Sequence, residues 1–160
     1  MIRRRRYRPV VPVSPPHRNG RRGSPAHGRI LVVGGHDDTR ELLVTILKTE
    51  GYDVDLAEDG DAALRRYREQ PADIVLMDLY VARVDGVAAI RDLCAAFPDI
   101  VIVAMSGDDS PLWSGALAEA RAAGARFTLR KPLEPWLLLR TLEGLIAARK
   151  TLLDRLHRTA

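Results

Sequence analysis

"RILVVGGHDDTRELL", residues 29–43, reads as a buried strand running straight into a helix. The run Ile30, Leu31, Val32, Val33 has the length and β-branching of a core strand. The polar break ends in Asp38 and Thr39, residue types that cap helix N-termini, and Glu41 follows in the first turn. In open α/β sheets, sites are built at the C-terminal ends of the strands. Here that place holds Gly34 and Gly35. They do not form a phosphate cradle, since the loop lacks both the G-x-G-x-x-G and the G-x-x-x-x-G-K pattern.

The alternation continues outward from this unit. Leu42, Leu43, Ile46 and Leu47 keep helical spacing until Gly51, placed as a C′ glycine would be. "YDVDLA" alternates like a strand and "DGDAALRRYREQ" is helical. "DIVLM" is a second continuous apolar run. Gly86 opens a helix with Val87, Ile90, Leu93 and Phe97 on one face. "DIVIVAM" is a further buried strand, and an alanine-rich helix closes at Gly124. "RFTL" is a short strand, and a long last helix has Pro135 in its first turn, where proline is tolerated. Five βα units in this order predict an α/β fold, a flavodoxin-like (βα)5 doubly wound parallel sheet with helices on both faces.

Composition narrows the setting. The 160 residues fit one domain plus a tail, and the only cysteine, Cys94, excludes an intrachain disulfide. A cytoplasmic location is expected, with no secretory leader, because no apolar h-region follows the basic start. Cys94 lies at helical spacing beside Ile90, Leu93 and Phe97, as a small core residue would. The net charge of +4 hides an asymmetry: residues 1–29 carry nine arginines and no acid, and the remainder is acidic. Residues 1–28, rich in Arg, Pro, Gly and Ser, are expected to be a disordered basic tail. Such a tail is open to three readings: a solvated appendage, an arm for nucleic acid, or a patch for an anionic membrane.

At the strand ends the polar residues converge. The third strand offers Asp78, the fourth Ser106, and Lys131 follows the fifth. An acceptor carboxylate, a hydroxyl and a fixed cation are what a phosphoryl group needs for attachment and charge neutralisation.

Through "ILVVGGHDDTRELL", "EGYDVDLAEDGDAAL", "PADIVLMDLYVARVDG", "IVIVAMSG" and "GARFTLRKPL", the chain resembles the receiver domain of bacterial two-component response regulators over residues 29–148. The resemblance implies that Asp78 is the phosphoacceptor, that Ser106 and Lys131 contact the phosphoryl group, and that the Lys131-Pro132 bond is cis, a form proline permits. Asp85-Gly86 would close the loop after the phosphoacceptor. The resemblance also explains the two glycines. Receivers normally carry an acidic pair where Gly34 and Gly35 stand, so the metal site is expected to be vacated, with Asp78 and the backbone carbonyl of Tyr80 as residual ligands. No cofactor is expected, and Mg²⁺ should bind weakly if at all. Asp37 and Asp38 read as a cap and dipole pair at the start of the helix. His36 reads as a solvated loop residue. Thr128 stands at the switch position, where receivers place a swinging Tyr or Phe, and the adjacent Phe127 should face the other side, into the core.

The expected role is signalling rather than enzymatic. The implied partners are a histidine kinase or phosphotransfer protein, or a downstream signalling protein. Phosphorylation of Asp78 is expected to be impaired or absent; in the second case the domain is a pseudo-receiver, acting purely as an interaction module. Trp113 and Trp136 begin the last two helices and read either as interface anchors or as half-buried packing. Leu138, Leu142, Leu145, Arg149, Leu152 and Leu156 follow alternating four-and-three spacing. The first half should cap the sheet, and residues 149–160 extend the helix, where a homodimer through the last helices is a second reading.

Overall fold

The computed structural model describes residues 27–34, 38–80, 86–107 and 115–158. Five strands, β1 (Arg29–Val33), β2 (Asp53–Ala57), β3 (Ile74–Asp78), β4 (Ile102–Ser106) and β5 (Phe127–Arg130), form one sheet. They alternate with α1 (Asp38–Thr49), α2 (Gly60–Glu69), α3 (Gly86–Ala96), α4 (Ala116–Ala123) and α5 (Pro135–Arg158). The strand order is β2-β1-β3-β4-β5 and every pairing is parallel. Buried on both faces, β1, β3 and β4 need the continuous apolar runs seen in the sequence.

Strand alternation divides the interior in two. Leu31, Val33, Val75, Met77 and Ala104 pack against α2, α3 and α4. Ile30, Val32, Leu76, Val103, Met105 and Leu129 pack against α1 and α5. From α5, Leu138, Leu142 and Ile146 are buried, a 3.6-residue stripe on the sheet rather than the 3.5-residue seam the leucine spacing implied. Leu145 is only partly buried beside this core.

Local chemistry sets the element ends. Asp59 caps α2 by accepting from the Ala62 N–H at 2.8 Å. Gly51 and Gly124 take φ of +84° and +123° after α1 and α4, a region that disfavours any side chain. The Lys131-Pro132 bond is cis, as expected.

Several expectations shift. The domain contacts begin before residue 29: Gly28 is buried, its carbonyl accepts from the Asp53 N–H at 3.0 Å, and the His27 ring meets Tyr52 edge-on. Phe127 is not a core residue. It lies on the face opposite Thr128, as alternation requires, but on an edge strand it remains 36% exposed. Trp136 is 63% exposed and so is not half-buried packing, and Leu42 points out of α1 at 57%. Cys94 is partly buried against the α2–α4 core, where burial pushes its thiol pKa up. Residues 1–26, Gly35, His36, Asp37, Asp85 and Trp113 lie outside the described residues.

Candidate functional site

Asp78 is the last residue of β3, where the apolar run ends at the sheet's C-terminal edge, and it is 7% exposed. Both carboxylate oxygens are engaged. Oδ2 accepts from Lys131 Nζ at 2.5 Å, and Oδ1 accepts from the Tyr80 backbone N–H at 2.9 Å. The two charged side chains are 10% and 15% exposed, so water screens the pair little. Lys131 reaches Asp78 from just after β5, two strands away, and its own N–H donates to the Ser106 carbonyl at 2.8 Å. This bond seats the lysine backbone directly against the end of β4.

Ser106 ends β4, buried at 9% exposure. Asp78 is in register with Met105, which puts Ser106 one residue further along the neighbouring strand. The structure thus brings Asp78 and Lys131 into direct contact and holds Ser106 at the same edge. Thr128 is set back: it pairs with Ala104, two positions before Ser106, on the face of the α2–α4 core. Tyr80 enters through its backbone, and its side chain is 67% exposed.

Gly34 follows β1 with its N–H on the Ala57 carbonyl at 3.0 Å. A Cβ there would lie 3.1 Å from Asp78 Cβ, so position 34 borders the carboxylate-bearing residue. Its own carbonyl accepts from Arg40 Nη1 at 3.3 Å. Asp38 is the first residue of α1, exposed, in the turn that also holds Glu41, as the dipole reading requires. Among the described residues, no group of three or more His, Cys, Asp or Glu side chains is placed to hold a metal ion.

Two glycines act on the site: Gly107, which the sequence did not single out, and Gly86, read there only as a helix start and loop closure. A Cβ on Gly107 would lie 3.0 Å from Lys131 Cδ, so the lysine stem crosses where a side chain would stand. A Cβ on Gly86 would lie 2.9 Å from the Leu79 Cα, so α3 starts pressed against the residue after Asp78. Both belong to quoted motifs, "IVIVAMSG" and "VARVDG", but their role needs the three-dimensional neighbour to be visible.

A parallel (βα)5 sheet with a buried Asp-Lys pair at its C-terminal edge defines an α/β domain of the flavodoxin-like class, receiver type. The chain belongs to the family described as response regulator receiver domain, which matches residues 30–143. It is 36% identical over 118 residues to the transcriptional regulatory protein ZraR of Escherichia coli, covering 74% of this chain and 26% of that protein. It therefore spans about a quarter of ZraR. Protein PilH of Pseudomonas aeruginosa is 28% identical over 124 residues, covering 74% of this chain and 98% of PilH. Among solved structures, the receiver domain of NtrX from Brucella abortus superposes with a TM-score of 0.68 at 28% identity, covering 74% of this chain and 98% of that one. The receiver domain of a Pseudomonas aeruginosa sensor histidine kinase, solved with magnesium coordinated in its active site cleft, gives 0.67 at 28% identity, covering 76% and 99%.

Proposed function

We propose that this chain is a two-component receiver with Asp78 at the phosphoacceptor position and a degenerate metal site, so that phosphorylation is impaired or absent. It works by protein contact in the cytoplasm, not as an enzyme. Its partners are a histidine kinase or phosphotransfer protein on the input side and a signalling protein on the output side. The observation that carries this reading is the state of the Asp78 carboxylate: both oxygens are occupied by groups of its own chain, and Gly34 adds no carboxylate beside it.

The donor set fits Mg²⁺ poorly. Mg²⁺ asks for octahedral oxygen ligands and is usually held by one or two carboxylates with waters and phosphate oxygens. A carboxylate about 4 Å from a unit positive charge is worth about 4 kcal/mol at an effective dielectric near 20, before desolvation. Removing two carboxylates from the neighbourhood of a dication weakens binding by several orders of magnitude on that scale. The related histidine-kinase receiver domain holds magnesium in its cleft; in this chain the Lys131 ammonium stands against Asp78 Oδ2. A phosphoryl group arriving at Asp78 would have to displace Nζ from Oδ2 and would then find the same ammonium, with the Ser106 hydroxyl, as its counter-charge and donor. An Asp-Lys pair that is neutral as it stands favours one resting shape over a poised switch. Thr128 points the same way, since it lacks the reach of an aromatic side chain.

The test is intact mass after incubation with a small acyl-phosphate donor and Mg²⁺, with Asp78→Asn as control. A slow or absent adduct in the wild type, together with tighter Mg²⁺ binding and faster phosphorylation in Gly34→Asp/Gly35→Asp, is the expected result. Wild-type Mg²⁺ affinity equal to that of the double variant would sink the reading. Complete absence of adduct, with the histidine kinase as donor too, assigns the chain to the pseudo-receiver form.

A further inference from the structure

Arg40 is the third residue of α1, half-buried in its first turn. A cation in that turn runs against the helix macrodipole, whose positive end lies there. Its side chain turns back to the strand ends, where Nη1 donates to the Gly34 carbonyl at 3.3 Å. Gly34 in turn borders Asp78. A Cβ on it would lie 3.1 Å from Asp78 Cβ and 3.8 Å from Asp78 Oδ2, the oxygen that Lys131 holds. A single residue without a side chain thus stands between the guanidinium and the carboxylate.

Charge balance gives that guanidinium a task. A phosphoryl group carries about two negative charges near neutral pH. Lys131 offsets one of them and the Ser106 hydroxyl offsets none, so an anion on Asp78 needs a second cation. The described donors fit Mg²⁺ poorly, with no cluster of acids to hold it. Arginine suits the role, because it stays protonated and its planar fork binds phosphate oxygens through two parallel N–H donors. Arg40 also lines an open cleft of about 600 Å³, together with Ala57, Glu58, Asp59 and Arg65. Its side chain can therefore turn away from the Gly34 carbonyl while its charge stays in water. Glu58 is the acid of that cleft with which an anion competes, since Asp59 already accepts from the Ala62 N–H.

We propose that Arg40 is the second cation of the Asp78 site: it leaves the Gly34 carbonyl to clamp a phosphoryl-type anion on Asp78 opposite Lys131, so that anion binding here is independent of Mg²⁺. The inference rests on the reading of Asp78 as the phosphoacceptor. It adds an anion-binding residue from α1 and a metal requirement opposite to that of a carboxylate-rich site. An acid at position 34 would stand between Arg40 and Asp78 and take up the guanidinium charge itself. Glycine there leaves that charge to be shared with whatever binds Asp78.

The experiment is titration of the full chain with beryllofluoride, a tetrahedral mimic of a phosphoryl group on a carboxylate, read by fluorine NMR in EDTA and again in Mg²⁺. Wild type should bind in EDTA with an affinity that Mg²⁺ leaves nearly unchanged, and Asp78→Asn should not bind. Arg40→Gln, with its fold checked by circular dichroism, should bind about tenfold more weakly for loss of the charged donors. Arg40→Lys should recover part of that loss. A purely structural Arg40 would shift the melting temperature and leave the affinity of the folded variants as in wild type. The proposal is overturned by no binding in EDTA, by binding that requires Mg²⁺, or by a folded Arg40→Gln that binds as tightly as wild type. The degenerate-metal reading falls on a different result, a direct Mg²⁺ titration in which wild type matches Gly34→Asp/Gly35→Asp.

Discussion

The two ends of the sheet handle charge differently. At the N-terminal ends of the strands, Arg29 spans Asp53 at 2.8 Å and Asp55 at 3.0 Å, Arg66 adds to Asp55 at 3.3 Å, and Asp73 accepts from the Arg29 N–H at 2.8 Å. Arg149 closes over the carbonyls beside Asp73. Among the described residues, the Asp78–Lys131 ion pair at the C-terminal ends is more deeply placed than any pair in that web. A web with exposed members spreads its charge, so losing one member leaves the others and water to compensate. A more deeply buried pair draws less on water: removing Lys131 takes the ammonium from a carboxylate that is only 10% exposed. The lesson is that a shared, wetter web marks the end that holds the sheet together, while the drier pair at the other end is where a new group could change the balance.

Mutations can break this contrast. Lys131→Met should cost about 3 kcal/mol in urea unfolding, because it leaves Asp78 buried and unpaired, and adding Asp78→Asn should recover most of that loss. A cost below about 1 kcal/mol would place the pair with ordinary surface bridges and end the comparison. Arg149→Met comes next, at about 2 kcal/mol, since it removes charged donors from two backbone carbonyls at the other end. Asp53→Asn should cost less than about 1 kcal/mol, because that side chain is 47% exposed, and the difference should fade in high salt. A large, salt-insensitive effect there would mean that the web is not redundant.

The smallest effect is a pH dependence. Tyr52, beside the web, has its phenol pKa pushed above the ordinary 10.0 by burial first, then by Glu143 and Glu50. The folded state therefore holds this proton more tightly than the unfolded chain. The contribution to stability is complete below about pH 10 and declines as the pH rises through the folded value. Thermal unfolding of Tyr52→Phe should show a flatter alkaline limb than the wild type; identical limbs would remove Tyr52 from the account.

The sequence made the strands and their edge legible because continuous apolar runs such as Ile74–Met77 can be satisfied only by burial on both faces, and each ends where a polar residue must meet solvent. Asp78, Ser106 and Lys131 are readable for that reason, and the direct Asp78-Lys131 contact follows from strand order. Phe127 was misread, and Trp136 stayed open between two readings, because periodicity identifies an apolar residue without telling whether another element covers it. An edge strand and a helix start leave them uncovered. Arg149 looked like a flaw in a leucine seam; its meaning lies in two carbonyls more than seventy residues earlier in the chain. Gly107 could not be read at all without the lysine that passes over it.

That last contact ties two positions into one choice. With a Cβ at 107 only 3.0 Å from Lys131 Cδ, the lysine stem must give by a few tenths of an ångström to admit even alanine, and its ammonium is anchored on Asp78. Variation at the two sites is therefore not independent. Alanine at 107 should disturb the Asp78–Lys131 contact more than alanine at an open position such as Gly144, and should be accepted more readily once residue 131 is shortened. What one position tolerates is written partly in the other.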